Sequence, residues 1–182
     1  MFFYLERNLT QFERFLTHKK TGSKWQIHYF AETQFQFQIY SINNMIKHIS
    51  QIRVRYADTD KMQFVYNGKY LEYFEVGRTE LLRNIGLPYS EIENAGFQLP
   101  LIEANLKYKK PAIYDDLLDI EAMVSSPNSA KVHIEYKITE HETGNLICEG
   151  FTSHMFIHLE SKKPTRPPKI YVEKLAKYFR DN

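Results

Sequence analysis

At 182 residues the chain is long enough for one domain with a proper core and too short for two of ordinary size. With 43% hydrophobic and 25% charged residues it has the composition of a soluble globular protein, and no run approaches the roughly 18–20 consecutive apolar residues of a membrane span. A formal charge of +2 is too small to point to nucleic acid, and a lone cysteine, Cys148, excludes an intrachain disulfide and suits a reducing, cytoplasmic setting.

Residues 1–44 differ from the rest. They carry five Lys/Arg against three Asp/Glu, the single tryptophan and seven of the 13 phenylalanines, whereas residues 45–182 carry 19 charges of each sign. The run FAETQFQFQIYSINN alternates like a strand but has no turn chemistry to pair it. A secretory signal is not in evidence, and Glu6 and Glu13 do not suit an acid-poor transit peptide. The reading taken is that Met45 is a natural start and residues 1–44 are an upstream extension. The alternative is an N-terminal arm that packs its aromatics on the domain or on a partner.

From Met45 onward the periodicities are clean. SQIRVRY (50–56) alternates as a strand. From Asn67 to Gly86 the spacing predicts a helix, with Tyr70, Leu71, Phe74, Gly77, Leu81 and Ile85 on one apolar face. Gly86 and Pro88 stop it. Gly77 inside it costs about 1 kcal/mol relative to alanine, which makes sense if the helix lies close against a sheet. Glu75 and Arg78 read as a helix ion pair, of use in fixing a dimer. Four strands follow. FQLPLIEANLKYKK puts Ile102, Ala104 and Leu106 on one face, and Pro100 implies an edge or an irregular entry. LLDIEAMVS alternates Leu118, Ile120, Ala122 and Val124, and AKVHIEYKITE alternates Val132, Ile134, Tyr136 and Ile138. SPNS and ETGN are turns, and LICEGFTSHMFIHL is a long last strand. KKPTRPPK is a linker before a short amphipathic helix, IYVEKLAKYF. One long helix followed by antiparallel strands on short turns is an α+β fold, its sheet wrapped around the helix.

Few residues offer chemistry. Asp58 and Asp60 form a D-x-D that alone reads as a turn, and no further ligands stand at a spacing that would make them a metal pair. His154 and His158 would share a helix face, but on a strand they lie about 13 Å apart, too far for one metal. His133 points outward. Cys148 reads as a small buried residue, with no histidine in partnership.

Residues 52–83, IRVRYADTDKMQFVYNGKYLEYFEVGRTELLR, resemble the signature region of the 4-hydroxybenzoyl-CoA thioesterase family of hot-dog-fold acyl-CoA thioesterases. The matching features are the first strand, Thr59-Asp60, the Phe64-Val65-Tyr66 triplet, the polar Asn67, Tyr70 and the Glu/Arg-bearing helix. YKKPAIYDDLLDIEAMV and KKPTRPPKI extend the similarity over residues 48–178. It implies a hot-dog fold that hydrolyses an acyl-CoA thioester, with Asp60 as nucleophile or general base. The backbone amide of Asn67, at the helix N-terminus, would be the oxyanion site. Asp58 would be structural. Phe64, Tyr66 and Gln63 would meet the substrate, and Lys163 and Arg166 could meet CoA phosphates. The family usually has Gly or Ala at position 63. Gln63 could narrow the acyl channel or donate a hydrogen bond, which bears on substrate range more than on the reaction.

The same resemblance implies a homodimer or homotetramer with the site at the subunit interface, and no metal or cofactor. Two rivals stand beside it. One is an acyl-carrier-protein thioesterase, since a phosphopantetheine arm is common to both substrates; a dehydratase is disfavoured because no histidine lies between His48 and His133. The other is a non-catalytic acyl-CoA-binding or scaffold protein of lipid synthesis.

Overall fold

The computed structural model describes residues 45–125 and 131–179; the expectations for residues 1–44 and for the SPNS turn lie outside them. Strand β1 (Ile46–Arg53) starts earlier and ends sooner than its alternation implies. Its eight residues pair antiparallel with β4 (Leu117–Val124), from Ile46 opposite Val124 to Arg53 opposite Leu117. It ends because the buried Val54 exchanges its main-chain bonds with the turn before β4, donating to Asp116 O at 2.9 Å and accepting from Asp115 N–H at 3.0 Å. The freed chain then enters a 3₁₀ turn (Tyr56–Asp58) and a small hairpin that leads into the long helix.

That helix, α1 (Lys69–Asn84), buries Tyr70, Tyr73, Phe74, Gly77 and Leu81 along one stripe. Leu71, expected on this face, is exposed. It lies about 100° round the helix from Tyr70, outside the stripe that Tyr73 completes. Gly77 is where the helix comes nearest the sheet: a Cβ there would lie 2.8 Å from Ile120 Cγ2. Beside it Phe74 stacks on Tyr136, ring centroids 4.2 Å apart and nearly parallel.

The sheet is antiparallel throughout. With β3 (Leu101–Tyr108), β5 (Lys131–Glu140) and β6 (Leu146–Met155), its order is β1-β4-β5-β6-β3, and α1 packs against β1, β4 and β5. The inward residues of β4 and β5 are those that the alternation names, and all eight are buried. The expectation for β3 needs correction. Ile102 and Ala104 are exposed, because β3 is an outer strand, paired among the described residues only with β6, and it meets α1 at its last residue, Tyr108.

Pro100 interrupts the chain where expected, separating β3 from a two-residue β2 (Phe97–Gln98) that follows the short α2 (Tyr89–Asn94). The predicted long last strand breaks at the buried Phe156. Its end, β7 (Ile157–His158), pairs with β2, so His154 and His158 belong to different sheets. The proline-rich segment is not simply a linker. His158 N–H donates to Lys163 O and Thr165 N–H to Phe156 O, folding it back on β7. It delivers α3 (Lys169–Phe179), whose Tyr171 and Leu175 are buried and whose Lys174 ammonium bonds Gly86 O at 2.7 Å, at the C-terminal end of α1. A cation suits that end of a helix dipole. Arg78 does not form the expected pair with Glu75 among the described residues; its guanidinium lies over the ring of Tyr89, 5.5 Å from the centroid.

Candidate active site

Three consecutive devices bring the conspicuous residues together. The first is the hairpin at Asp60. Asp60 N–H donates to Phe64 O and Gln63 N–H to Asp60 O, both at 2.9 Å, while Thr59 and Val65 face each other as an isolated bridge. This is a three-residue hairpin loop whose last member must be left-handed, the position of a G1 bulge. Gln63 occupies it at φ 65°. A left-handed residue with a Cβ is strained there, and only glycine would be free of that strain. Asp60 Oδ1 accepts Met62 N–H at 2.8 Å, an Asx-turn of the kind that D-x-D alone suggests. Oδ2 has no partner among the described residues.

The second device is the entry to α1. Lys69 N–H donates to Tyr66 O at 2.9 Å, and Gly68 N–H is taken by the Asn67 side-chain Oδ1 at 2.9 Å. The Asn67 N–H, one residue before the N-cap Gly68, has no acceptor among the described residues. On the other side of that residue, Tyr108 Oη donates to Asn67 O at 3.1 Å, which ties the helix start to β3. Gly68 makes room for Tyr66, whose Cε1 would lie 3.0 Å from a Cβ at that position.

Asp58 is the third. It is 1% exposed, yet ionised. Burial alone would raise its carboxyl, but hydrogen bonds and charge from Arg55 outweigh burial and hold it below the ordinary carboxylate range. Arg55 grips it with Nη2 at 3.0 Å and with Nε and its own backbone N–H at 3.2 Å. Tyr73 Oη donates to Oδ2 at 3.2 Å and the Lys69 ammonium stands 3.7 Å from Oδ1. Burial, followed by the charge of Asp58, pushes the Tyr73 hydroxyl up, so it stays a donor.

Around these elements lies a cavity of about 480 Å³, its wall formed by Asp60, Met62, Phe64, Val65, Tyr66, Asn67, Tyr70 and the Tyr108–Pro111 segment. Of the residues singled out in the sequence, Asp60, Asn67, Phe64 and Tyr66 meet here. Gln63 is exposed beside the cavity and does not line it. Lys163 and Arg166 are exposed in the segment after β7 and are not in its wall. Sequence reasoning assigned no role to Tyr108, Lys109 or Lys110, although YKKPA was part of the resemblance. Their place depends on β3 ending beside the α1 N-terminus, which no local pattern encodes.

Other reactive groups are elsewhere. Burial pushes the Cys148 thiol up to about 11, so it is no ready thiolate. His133 is exposed, as expected, with Nδ1 3.2 Å from Ser153 Oγ. Among the described residues no group of three His, Cys, Asp or Glu is arranged to hold a metal.

An antiparallel sheet around one long helix, with a hairpin leading into the helix N-terminus, defines a hot-dog-fold protein. The match of residues 54–175 to the model of the thioesterase-like superfamily makes the family plain: the chain belongs to it. It is 36% identical over 126 residues to YneP, a putative acyl-CoA thioesterase of Bacillus subtilis, covering 68% of this chain and 91% of that one. It is 40% identical over 123 residues to a putative esterase of Aquifex aeolicus, covering 68% and 93%. Among solved structures, a DHNA-CoA thioesterase from Staphylococcus aureus superposes with a TM-score of 0.68 at 30% identity, over 72% of this chain and 89% of that one.

Proposed function

We propose that the protein hydrolyses an acyl-CoA thioester to the free acid and CoA, with Asp60 as the carboxylate that acts and the Asn67 N–H as the oxyanion donor. One observation carries this reading. Asp60 and Asn67, whose N–H has no acceptor among the described residues, line the same cavity. A thioester carbonyl whose oxygen lies on that N–H would gain the helix dipole and a fixed donor as charge develops on it. Asp60 then either attacks the carbonyl carbon, expelling the CoA thiolate and leaving an anhydride that water cleaves, or takes the proton of an attacking water. The thiolate needs no general acid to leave, which suits a wall with no histidine among its described residues.

The 45–182 segment is taken as the thioesterase domain, with residues 1–44 as an extension. A homodimer is supported by the outer position of β3, which leaves Leu101 at its start and Tyr108 at its end, in the cavity wall, about half exposed. Phe64 and Tyr66 are taken as substrate contacts. Lys163 and Arg166 would reach CoA phosphates, and an acyl carrier protein, which presents the same phosphopantetheine arm, is the alternative donor of the thioester. A cytoplasmic setting rests on Cys148; among the described residues no helix is long and apolar enough to cross a membrane.

Thiol release measured across short-chain, long-chain and aromatic acyl-CoAs tests the reaction. The Asp60→Asn variant is expected to lose at least about a thousandfold in kcat, on the scale of removing a nucleophile or base, with unchanged circular dichroism. Near-normal turnover by a folded Asp60→Asn variant would refute the assignment.

A further inference from the structure

Asp58 spends more contacts than a loop residue needs. Its carboxylate joins Arg55, before the hairpin, to Lys69 and Tyr73, in the first two turns of α1. Its main chain does something different: Asp58 O accepts Tyr66 N–H at 2.8 Å. Tyr66 supplies the carbonyl half of the peptide unit whose N–H is that of Asn67, and that carbonyl in turn accepts Lys69 N–H at 2.9 Å. Tyr66, whose carbonyl shares a peptide unit with the Asn67 N–H, is therefore held by two main-chain bonds, one donated to Asp58 O and one accepted from Lys69, whose ammonium Asp58 also holds. Two residues on, Asp60 leaves the same turn.

We propose that Asp58 is a positioning residue for thioester hydrolysis, a buried clamp that fixes the Asn67 N–H relative to the Asp60 carboxylate. The inference rests on the Asp60–Asn67 reading above. Asp58 is not in the wall of the cavity and needs no contact with substrate. It acts by preorganisation: displacements near 1 Å at reacting groups can cost about a hundredfold in rate, whereas ground-state binding by the cavity wall would be unaffected. Its signature is therefore a loss in kcat with KM retained.

The test compares Asp58→Asn, Tyr73→Phe, their double variant and Asp60→Asn, using the best substrate of the acyl-CoA panel. Leu175→Ala in α3, remote from the cavity, serves as a control for destabilisation alone. All are assayed well below their melting temperatures, with the folded fraction measured. Asp58→Asn is expected to lower kcat at least about tenfold with KM within about twofold. Tyr73→Phe, which removes one donor to the same carboxylate, lowers kcat about two- to fivefold. The double variant is no worse than Asp58→Asn, because both act through one group. Leu175→Ala melts earlier and keeps its kcat per folded molecule. A wild-type kcat in folded Asp58→Asn overturns the clamp. So does a wild-type kcat in Tyr73→Phe should Asp58→Asn fail to fold. If Asp60→Asn is inactive in either case, the hydrolytic reading stands without the clamp; if Asp60→Asn is active, both fall together.

Discussion

Gln63 holds a backbone conformation that costs an L-residue about 1–2 kcal/mol, because Cβ crowds the following carbonyl. Its side chain is exposed, and its N–H is committed to Asp60 O. Glycine would relieve the strain while losing about 0.5–1 kcal/mol to the freedom of the unfolded chain. Gln63→Gly is therefore expected to stabilise by up to about 1 kcal/mol, read from urea unfolding. Because Gln63 does not line the cavity, relative kcat/KM values across the acyl-CoA panel should move by less than about twofold. A tenfold change in preference would instead make the glutamine a substrate contact, the role first given to it. Asp60 and Asn67 were legible from the sequence because their neighbours are local, within one hairpin and one helix start. Asp58 was legible only as structural. Its partners Arg55, Lys69 and Tyr73 converge on it only once the turn folds back on α1, and nothing in D-x-D announces a carboxylate that is buried and still charged.

At the scale of elements, α1 and the sheet are held at a distance set by one missing side chain. A methyl group on residue 77 would lie 2.8 Å from Ile120 Cγ2 and within 3.6 Å of Ala122 and Tyr136, all fully or almost fully buried. Alanine would gain about 1 kcal/mol in helix propensity and lose about 1–3 kcal/mol to overpacking in a core that cannot yield. Gly77→Ala is thus expected to destabilise by about 1 kcal/mol and to lower the melting temperature by about 2–4 °C, a shift that thermal denaturation would resolve. A rise in melting temperature would mean that the helix can retreat from the sheet. The glycine, the two alternating strands β4 and β5 and the helix stop were readable because each is a periodicity or a local breaker. The exposure of β3 and the break at Phe156 were not. Alternation reports that a strand has two faces, and only topology decides whether either one is covered.

Across the whole molecule, the buried polar chain beneath α1 ties folding to pH. His154 is 3% exposed on β6, its Nε2 2.9 Å from Thr152 Oγ1, which also meets Tyr136 Oη at 2.9 Å. Its Nδ1 and the buried Arg78 Nη1 have no hydrogen-bond partner among the described residues. Burial first, and then the positive charge of Arg78, push the imidazole down to about 4 from an ordinary 6.5. The folded protein thus keeps His154 neutral where the unfolded chain would protonate it. Stability from this residue is complete above about pH 6.5 and is lost as pH falls towards 4, where both states carry the proton. The slope approaches 1.4 kcal/mol per pH unit, a total of about 3 kcal/mol. The ionised Asp58 acts lower, because its folded-state value lies below the ordinary carboxylate range, so its contribution is lost only as pH falls below about 4. Urea unfolding at half-unit steps from pH 7.5 to 4.5 separates the two. The wild type should weaken across this range, whereas His154→Gln, which keeps a polar group beside Thr152 and cannot titrate, should be less stable at pH 7.5 and nearly flat down to pH 5. Parallel slopes in the two proteins would assign the acid sensitivity to other groups and leave His154 as packing alone.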